Sequence, residues 1–204
     1  MKAFSRKDLL RSLAGFVRQV GERANTPQPV DPASLVRPPG ALTPDDAYLA
    51  ACTGCEACVP ACPASAIFMA EVSGRRVAVL APGRTPCHLC ATLPCIAACA
   101  PRALLPLPSP KAVRLGVAQV DPRFCRTFRG ESCRICVLVC PFPAEAIRML
   151  NGRPLVSSEV CTGCGLCAAA CPDRPRALVI HPERTLMPGS RLPVIGPLPP
   201  SLSG

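Results

Sequence analysis

The sequence predicts an α+β chain of short helices and short hairpins, arranged as two tandem modules between extended termini. Three observations carry this. The cysteines fall in four tight groups of four, and each group leads into a short apolar stretch, so the chain contains a fourfold internal repeat. Pro and Gly, 27 and 14 residues, make up a fifth of the 204, so elements must be short and turns many. The large aromatics that dominate most cores are scarce, with no Trp, one Tyr and six Phe. Something other than side chains has to fill the middle, as in small domains whose metal binding supplies the folding free energy.

Taken in order, residues 1–25 read as an amphipathic helix. Leu9, Leu13, Phe16, Val17 and Val20 recur at helical spacing, with Lys2, Arg6, Lys7, Arg11 and Arg18 mostly on other faces. Ser5 and Asp8 resemble a capping box with Asp in place of Glu. Residues 26–44 carry Pro27, Pro29, Pro32, Pro38, Pro39 and Pro44, too many for a regular element, and are expected to run extended. The first module is expected over 45–110, the second over 111–181, and a proline-rich tail over 182–204. Each repeat follows its cysteines with an apolar step: Ala66-Ile67, Ala103-Leu104, Ala146-Ile147 and Ala177-Leu178. Residues 66–71 and 75–81 form an expected hairpin turning near Gly74, and 146–150 and 153–157 another around Asn151-Gly152, the strongest short hairpin signal. A further strand is expected over 113–120.

The first cysteine group is Cys52, Cys55, Cys58 and Cys62, followed by Pro63; the fourth repeats its 2-2-3 spacing as Cys161, Cys164, Cys167 and Cys171, followed by Pro172. This is the bacterial ferredoxin run, whose first three thiolates hold one [4Fe–4S] cluster while the fourth ligates its neighbour. The two-residue gaps let the loop curl round one cube face with N–H groups turned to the sulfurs. The three-residue gap then carries the chain along a helical turn, so the fourth sulfur points away. Gly54, Gly163 and Gly165 are expected to let the backbone approach the cluster closely. The second group, Cys87, Cys90, Cys95 and Cys99, and the third, Cys125, Cys133, Cys136 and Cys140, each widen one gap of the same template. Structural zinc fits poorly, because four thiolates within eleven residues crowd a single ion and zinc sites set two short pairs apart. Disulfides fit no better, since a disulfide scaffold spreads its cysteines to cross-link distant segments. All sixteen cysteines are therefore read as iron ligands of four [4Fe–4S] clusters.

Other functions recede on the same reading. The formal charge of +10 counts cysteines as neutral; with sixteen thiolates and four oxidised cores the loaded chain sits near +2. No aromatics interleave with the basic residues, so nucleic acid is not a partner, and the positive groups instead offset the clusters and guide an acidic redox partner. His88 and His181 are read as incidental, and no Gly-rich phosphate loop points to flavin or nicotinamide. With every thiol used, no iron is left open for substrate, and the chain reads as a carrier rather than an enzyme.

The order of spacings, 2-2-3, 2-4-3, 7-2-3 and 2-2-3, resembles the ferredoxin-type polyferredoxins of the NapG, MauM and NapF families, accessory proteins of periplasmic nitrate reduction and methylamine utilisation. The similarity runs from about Tyr48 to Ile180; the stretches from Cys87 to Cys95 and from Cys161 to Cys167 are nearest the G type. The resemblance implies an electron relay between a membrane quinol-linked component and an oxidoreductase. Its F-type members imply the alternative, a maturation factor that assists cofactor or cluster insertion. Exported members begin with a twin-arginine signal. Here Ser5-Arg6-Lys7-Asp8-Leu9-Leu10 has Lys in the second arginine position, and no apolar run follows. The expectation is a cytoplasmic chain whose residues 1–24 dock on a membrane surface or a partner, the alternative being periplasmic residence through an atypical signal. The clusters are expected in two sequential pairs. Cys52, Cys55, Cys58 and Cys99 hold one and Cys87, Cys90, Cys95 and Cys62 its neighbour; Cys125, Cys133, Cys136 and Cys171 hold the third and Cys161, Cys164, Cys167 and Cys140 the fourth. A nested pairing, first group with fourth, occurs in the iron–sulfur subunits of molybdenum oxidoreductases and is the alternative.

Overall fold

The computed structural model describes residues 35–182. The helix expected over 1–25, the beginning of the proline-rich stretch and the tail from 183 onward lie outside the described residues.

Helix α1 (Asp45–Ala51) begins after Pro44 with two acidic residues in its first turn, where the helix dipole favours negative charge. It buries Tyr48 and ends at Cys52, whose N–H bonds the Tyr48 carbonyl at 2.9 Å. Strands β1 (Ile67–Val72) and β2 (Arg75–Leu80) pair antiparallel, with Val72 opposite Arg75. That register leaves a two-residue turn, Ser73-Gly74, with φ of 52° and 73°, the primed geometry that matches strand twist. The second half of β2, Val77 to Leu80, is wholly buried. Leu35–Pro44, the end of the stretch expected to run extended, packs into this core but reverses at Pro38–Ala41, where the Ala41 N–H bonds the Pro38 carbonyl at 3.1 Å and Gly40 has φ of 74°. The N–H of Val36 bonds the Leu80 carbonyl and the Leu80 N–H bonds that of Val36, both at 2.8 Å, while Leu42 donates to Ala103 and Leu105 to Gly40. Prolines at 38, 39 and 44 lack donors, so Val36 before the first two and Leu42 after them donate instead. Helix α2 (Pro94–Ala97) is one turn, with Pro in the first position where no N–H is needed.

The second half opens on a 3-10 turn (Pro110–Ala112) and β3 (Val117–Val120). A second 3-10 turn (Arg126–Arg129), helix α3 (Ile135–Leu138), strands β4 (Ile147–Leu150) and β5 (Arg153–Val156), helix α4 (Leu166–Ala170) and β6 (Leu178–His181) follow. β4 and β5 form the hairpin expected at Asn151-Gly152, with φ of 49° and 76°. β3 pairs antiparallel with β6, so the start and end of this half close on each other. The strand expected over 113–120 is shorter. Gly116 lies flat on the His181 carbonyl, where a Cβ would overlap it, and the Leu115 N–H goes to Thr162 at 2.9 Å instead of to a strand partner. His181, read as incidental, is the final residue of β6.

The two halves meet along a backbone seam. The Cys87 N–H donates to the Cys164 carbonyl at 2.8 Å, and a guanidinium N–H of Arg176 donates to the Gly83 carbonyl at 2.5 Å. Gly165 lies so close to the Pro82 carbonyl that a Cβ there would overlap it.

Candidate metal centres

The loops after α1, before α2, before α3 and before α4 carry the four cysteine groups, and in the last three a helical turn follows. Cys95, Cys136 and Cys167 sit on α2, α3 and α4, and four residues further on Cys99, Cys140 and Cys171 leave them. One turn of helix thus turns the fourth sulfur of a group away from the other three.

The result is a crossed arrangement. Cys52, Cys55 and Cys58 line one cavity together with Cys99 from the second group. Cys87, Cys90 and Cys95 line another together with Cys62 from the first. Cys161, Cys164 and Cys167 line a third together with Cys140 from the third group. The remaining thiols share a core cluster: Cys125, Cys136 and Cys171 are buried in it, Phe124, Phe128, Val137, Cys140, Cys161 and Cys167 pack against it, and Cys133 lies beside Cys136. Cys62 thus stands with Cys87, in another cavity from Cys161. The three cavities are alike in size, about 330, 380 and 340 Å³ of atom-free space counted to the open rim. His88 reaches only the rim of the second and is exposed. A wider hollow, lined by Arg37, Thr43, Arg114 and apolar groups, contains no cysteine.

Burial raises most of these thiols. Desolvation pushes Cys87 and Cys167 up to about 12, and Cys58, Cys95 and Cys136 up to about 11, with neighbouring cysteines adding to the shift. Cys140 and Cys164 are raised for the same leading reason. Cys55, the exposed member of the first set, is lowered, chiefly by the N–H of Ala57. Buried thiolates gathered in fours need a compensating positive charge, which iron would supply. Backbone donors are already aimed at the sulfurs: Leu89 at Cys87, Val137 at Cys136, Leu166 at Cys164, and, at 3.4 Å each, Ala66 at Cys62 and Ala118 at Cys161.

The sulfurs surround each cavity instead of converging. Among the described residues, no three of His, Cys, Asp or Glu come together where a single ion could sit. A zinc site needs all its sulfurs about 2.3 Å from one point. A cubane takes one thiolate at each of four separated irons, and that is the donor set these cavities offer.

Two contributors escape the sequence motif. The Tyr48 hydroxyl lies buried next to Cys52 and donates to the Ala78 carbonyl at 2.6 Å, and the Thr127 hydroxyl lies 3.1 Å from the Cys125 sulfur. Neither lies at a fixed spacing from a cysteine motif, so no local signal marks them. The three glycines singled out in the sequence line these cavities, Gly54 beside Cys52, Cys55 and Cys58, and Gly163 and Gly165 beside Cys161, Cys164 and Cys167, and they also meet other chain. At Gly54, Gly163 and Gly165 a Cβ would strike the backbone of Arg76, Gly116 and Pro82, so each of these positions admits a neighbouring segment closely as well.

Comparison with known proteins agrees with the cysteine pattern. Residues 118–172 match the 4Fe-4S dicluster domain family, and residues 49–68 match the 4Fe-4S binding domain family. The chain is similar to the methylamine utilization ferredoxin-type protein MauM of Paracoccus denitrificans, 40% identical over 173 residues, covering 78% of this chain and 73% of that one. It is similar to MauM of Methylophilus methylotrophus, 39% identical over 78% of this chain and 75% of that one. The ferredoxin-type protein NapG of Escherichia coli K12 is 32% identical over 86% of this chain and 83% of its own. No solved structure matches.

Proposed function

The chain belongs to the family of ferredoxin-type proteins MauM and NapG, and on that premise we propose that it relays single electrons through four [4Fe–4S] clusters. Its partners are a membrane quinol-linked component on one side and an oxidoreductase on the other. The holders are the four crossed sets: Cys52, Cys55, Cys58, Cys99; Cys87, Cys90, Cys95, Cys62; Cys161, Cys164, Cys167, Cys140; and Cys125, Cys133, Cys136, Cys171. Bound there, a [4Fe–4S] cluster supplies a one-electron couple tuned by burial and by hydrogen bonds to its sulfurs.

The crossing itself carries the reading. A cysteine exchanged between groups fixes two sites as neighbours, an arrangement that passing electrons requires and that independent metal sites do not. Numbered by cysteine group, Cys62 and Cys99 tie the first set to the second, and Cys140 and Cys171 tie the fourth (Cys161, Cys164, Cys167) to the third (Cys125, Cys133, Cys136). The Cys87 N–H on the Cys164 carbonyl joins the second to the fourth. The sites therefore adjoin in the order first, second, fourth, third, which differs from their order along the chain. The protein's part is to hold this order, aim N–H groups at sulfur and exclude water with the aliphatic walls. All sixteen thiols are used, so the chain is a carrier without a substrate site of its own.

Anaerobically purified protein should contain about sixteen iron and sixteen sulfide per chain, reduce reversibly, and reoxidise on mixing with its oxidoreductase. Half that iron, or zinc in its place, would sink the reading. A chain that instead binds an apo-oxidoreductase and raises its activity without turning over electrons is the maturation factor. Cytoplasmic residence belongs to the same proposal and is checked by cell fractionation. Among the described residues, no helix is long and apolar enough to cross a membrane.

A further inference from the structure

We infer that the surface over the third cysteine group is the docking face for an acidic redox protein, an inference that rests on the relay reading. The third group is where the cysteine template is widened most, by the seven residues between Cys125 and Cys133, and these include Arg126 and Arg129. Arg123, Arg134, Arg148 and Arg153 flank them in sequence or in the hairpin that follows. Packing brings these together: α3 lies against β4, and β5 lies against the Arg126–Arg129 turn.

The guanidiniums are held in place. Arg126 is 2.9 Å from the Asp173 carboxylate, Arg129 donates to the Phe124 carbonyl at 3.1 Å, and Arg153 stacks over the Phe128 ring at 4.8 Å. Arg134 and Arg148 are exposed and, among the described residues, have no carboxylate partner. Between the charges stand apolar side chains: Leu138 is 67% exposed, Leu150 52% and Leu155 40%. In the β4–β5 register Leu150 opposes Arg153 and Leu155 opposes Arg148, so the outward face of this hairpin alternates apolar and basic groups. An apolar patch ringed by fixed cations is the composition of a protein interface core and rim.

The occupant follows from charge. Residues 111–182 contain ten Lys and Arg against five Asp and Glu, whereas residues 35–110 contain five against four. The chain's own termini repel this face: residues 1–34 contain six basic side chains against three acidic, and 183–204 two against one. A second copy is net basic in its described side chains, fifteen against nine before clusters are loaded. Self-association at low ionic strength that Arg148→Glu abolishes would make the face a contact between copies and overturn the docking of a redox protein. A lipid surface would suit a mobile Lys-rich helix with aromatic anchors. This face instead holds Arg126, Arg129 and Arg153 by an ion pair, a carbonyl and ring stacking, and sets beside them the exposed Arg134 and Arg148, whose planar guanidiniums read carboxylates bidentately. It also lies over the site at one end of the series of four, where a partner would deliver or collect electrons.

The test uses the loaded full-length chain and an acidic plant-type [2Fe–2S] ferredoxin as probe. At low ionic strength, Arg148→Glu should weaken binding of the oxidised probe and slow electron exchange with it on the order of tenfold. It should flatten the salt dependence of both and leave iron content unchanged. Arg75→Glu, an exposed arginine beside the turn of the first-module hairpin, should change neither. If Arg148→Glu also loses iron, Leu150→Ser, which carries no charge change, should still weaken probe binding. Equal effects of Arg148→Glu and Arg75→Glu, or no effect of either, overturn the docking face. So does a variant that keeps the probe but no longer sediments with phosphatidylserine vesicles, which would make the face a membrane contact. If dithionite reduces the clusters and the probe neither binds nor reduces them, the face is wrong and the relay stands. If dithionite reduces none of them, the relay itself falls and takes the face with it.

Discussion

The two halves of this molecule use the same cysteine template but stand on different foundations. In the first, residues 35–110, Tyr48, Val72, Val77, Val79 and Leu80 are all under 2% exposed and form an aliphatic core beside the cysteine cavities. In the second, three of the nine buried residues of the core cluster are cysteines, Cys125, Cys136 and Cys171, and three more are alanines. One half has packing of its own; the other is built round its sulfurs. A repeated cysteine motif therefore sets where sulfurs gather without setting how far the fold depends on them.

The largest effect expected from this difference is on metal loss. Structural metal sites contribute on the order of 10 kcal/mol, comparable with the whole stability of a domain. Chelation of iron should unfold the second half completely. Hydrogen exchange should find residual protection only in β1 and β2, where paired amides are covered by Val36 and Tyr48. Equal and simultaneous loss of protection in both halves would erase the contrast.

Next comes the seam. Gly165 and Gly130 have nearly the same backbone angle, φ of 87° and 86°, but Gly165 faces the Pro82 carbonyl and Gly130 faces open space. Gly130→Ala should cost about 1 kcal/mol, the strain of a left-handed residue alone. Gly165→Ala adds a backbone clash that forces the halves apart and should cost about 3 kcal/mol or more. Equal midpoints in thermal unfolding would mean that the seam contributes nothing.

That seam is also where the sequence says least. The hairpins were legible because Asn151-Gly152 and Ser73-Gly74 force a local geometry that no distant contact has to supply. The grouping of cysteines was legible because ligand spacing is a local constraint too. The bond from Cys87 to Cys164 spans two copies of one motif, and nothing in either copy marks which other copy it will meet. The strand expected over 113–120 lost its first half for a related reason. Leu115 and Gly116 read as β-forming only until Thr162 and His181 arrive from far along the chain. Leu35 and Val36 hid in a proline-rich stretch whose composition suggests solvent, although their side chains are buried and their amides pair with Leu80.

A smaller effect separates aliphatic packing inside the two sheets. Val79 on β2 is fully buried, and Val179 on β6 is 48% exposed. Val79→Ala should destabilise the loaded protein by about 2 kcal/mol through the cavity it leaves. Val179→Ala should stay within about 0.5 kcal/mol. Denaturant midpoints compared at constant slope decide this, and similar losses would show that the second half has a hidden apolar core.

The smallest effect tests a single hydrogen bond. Tyr48, the one tyrosine of the chain, projects from α1 and donates its hydroxyl hydrogen to the Ala78 carbonyl on β2. Burial, with Cys52 adding to it, pushes this hydroxyl far above the ordinary tyrosine range, so it stays a neutral donor at any working pH. Tyr48→Phe preserves the ring and removes only the donor, leaving the carbonyl one partner short. A net loss of about 1 kcal/mol follows, roughly a fivefold rise in opening of the first half. Amides of β1 and β2 should exchange faster by that factor, while those of β3 and β6 keep their rate, because no bond to Tyr48 reaches them. If β3 and β6 speed up as well, the two halves open as one unit. The aliphatic core of the first would then confer no separate stability, and the seam, short as it is, would be what couples them.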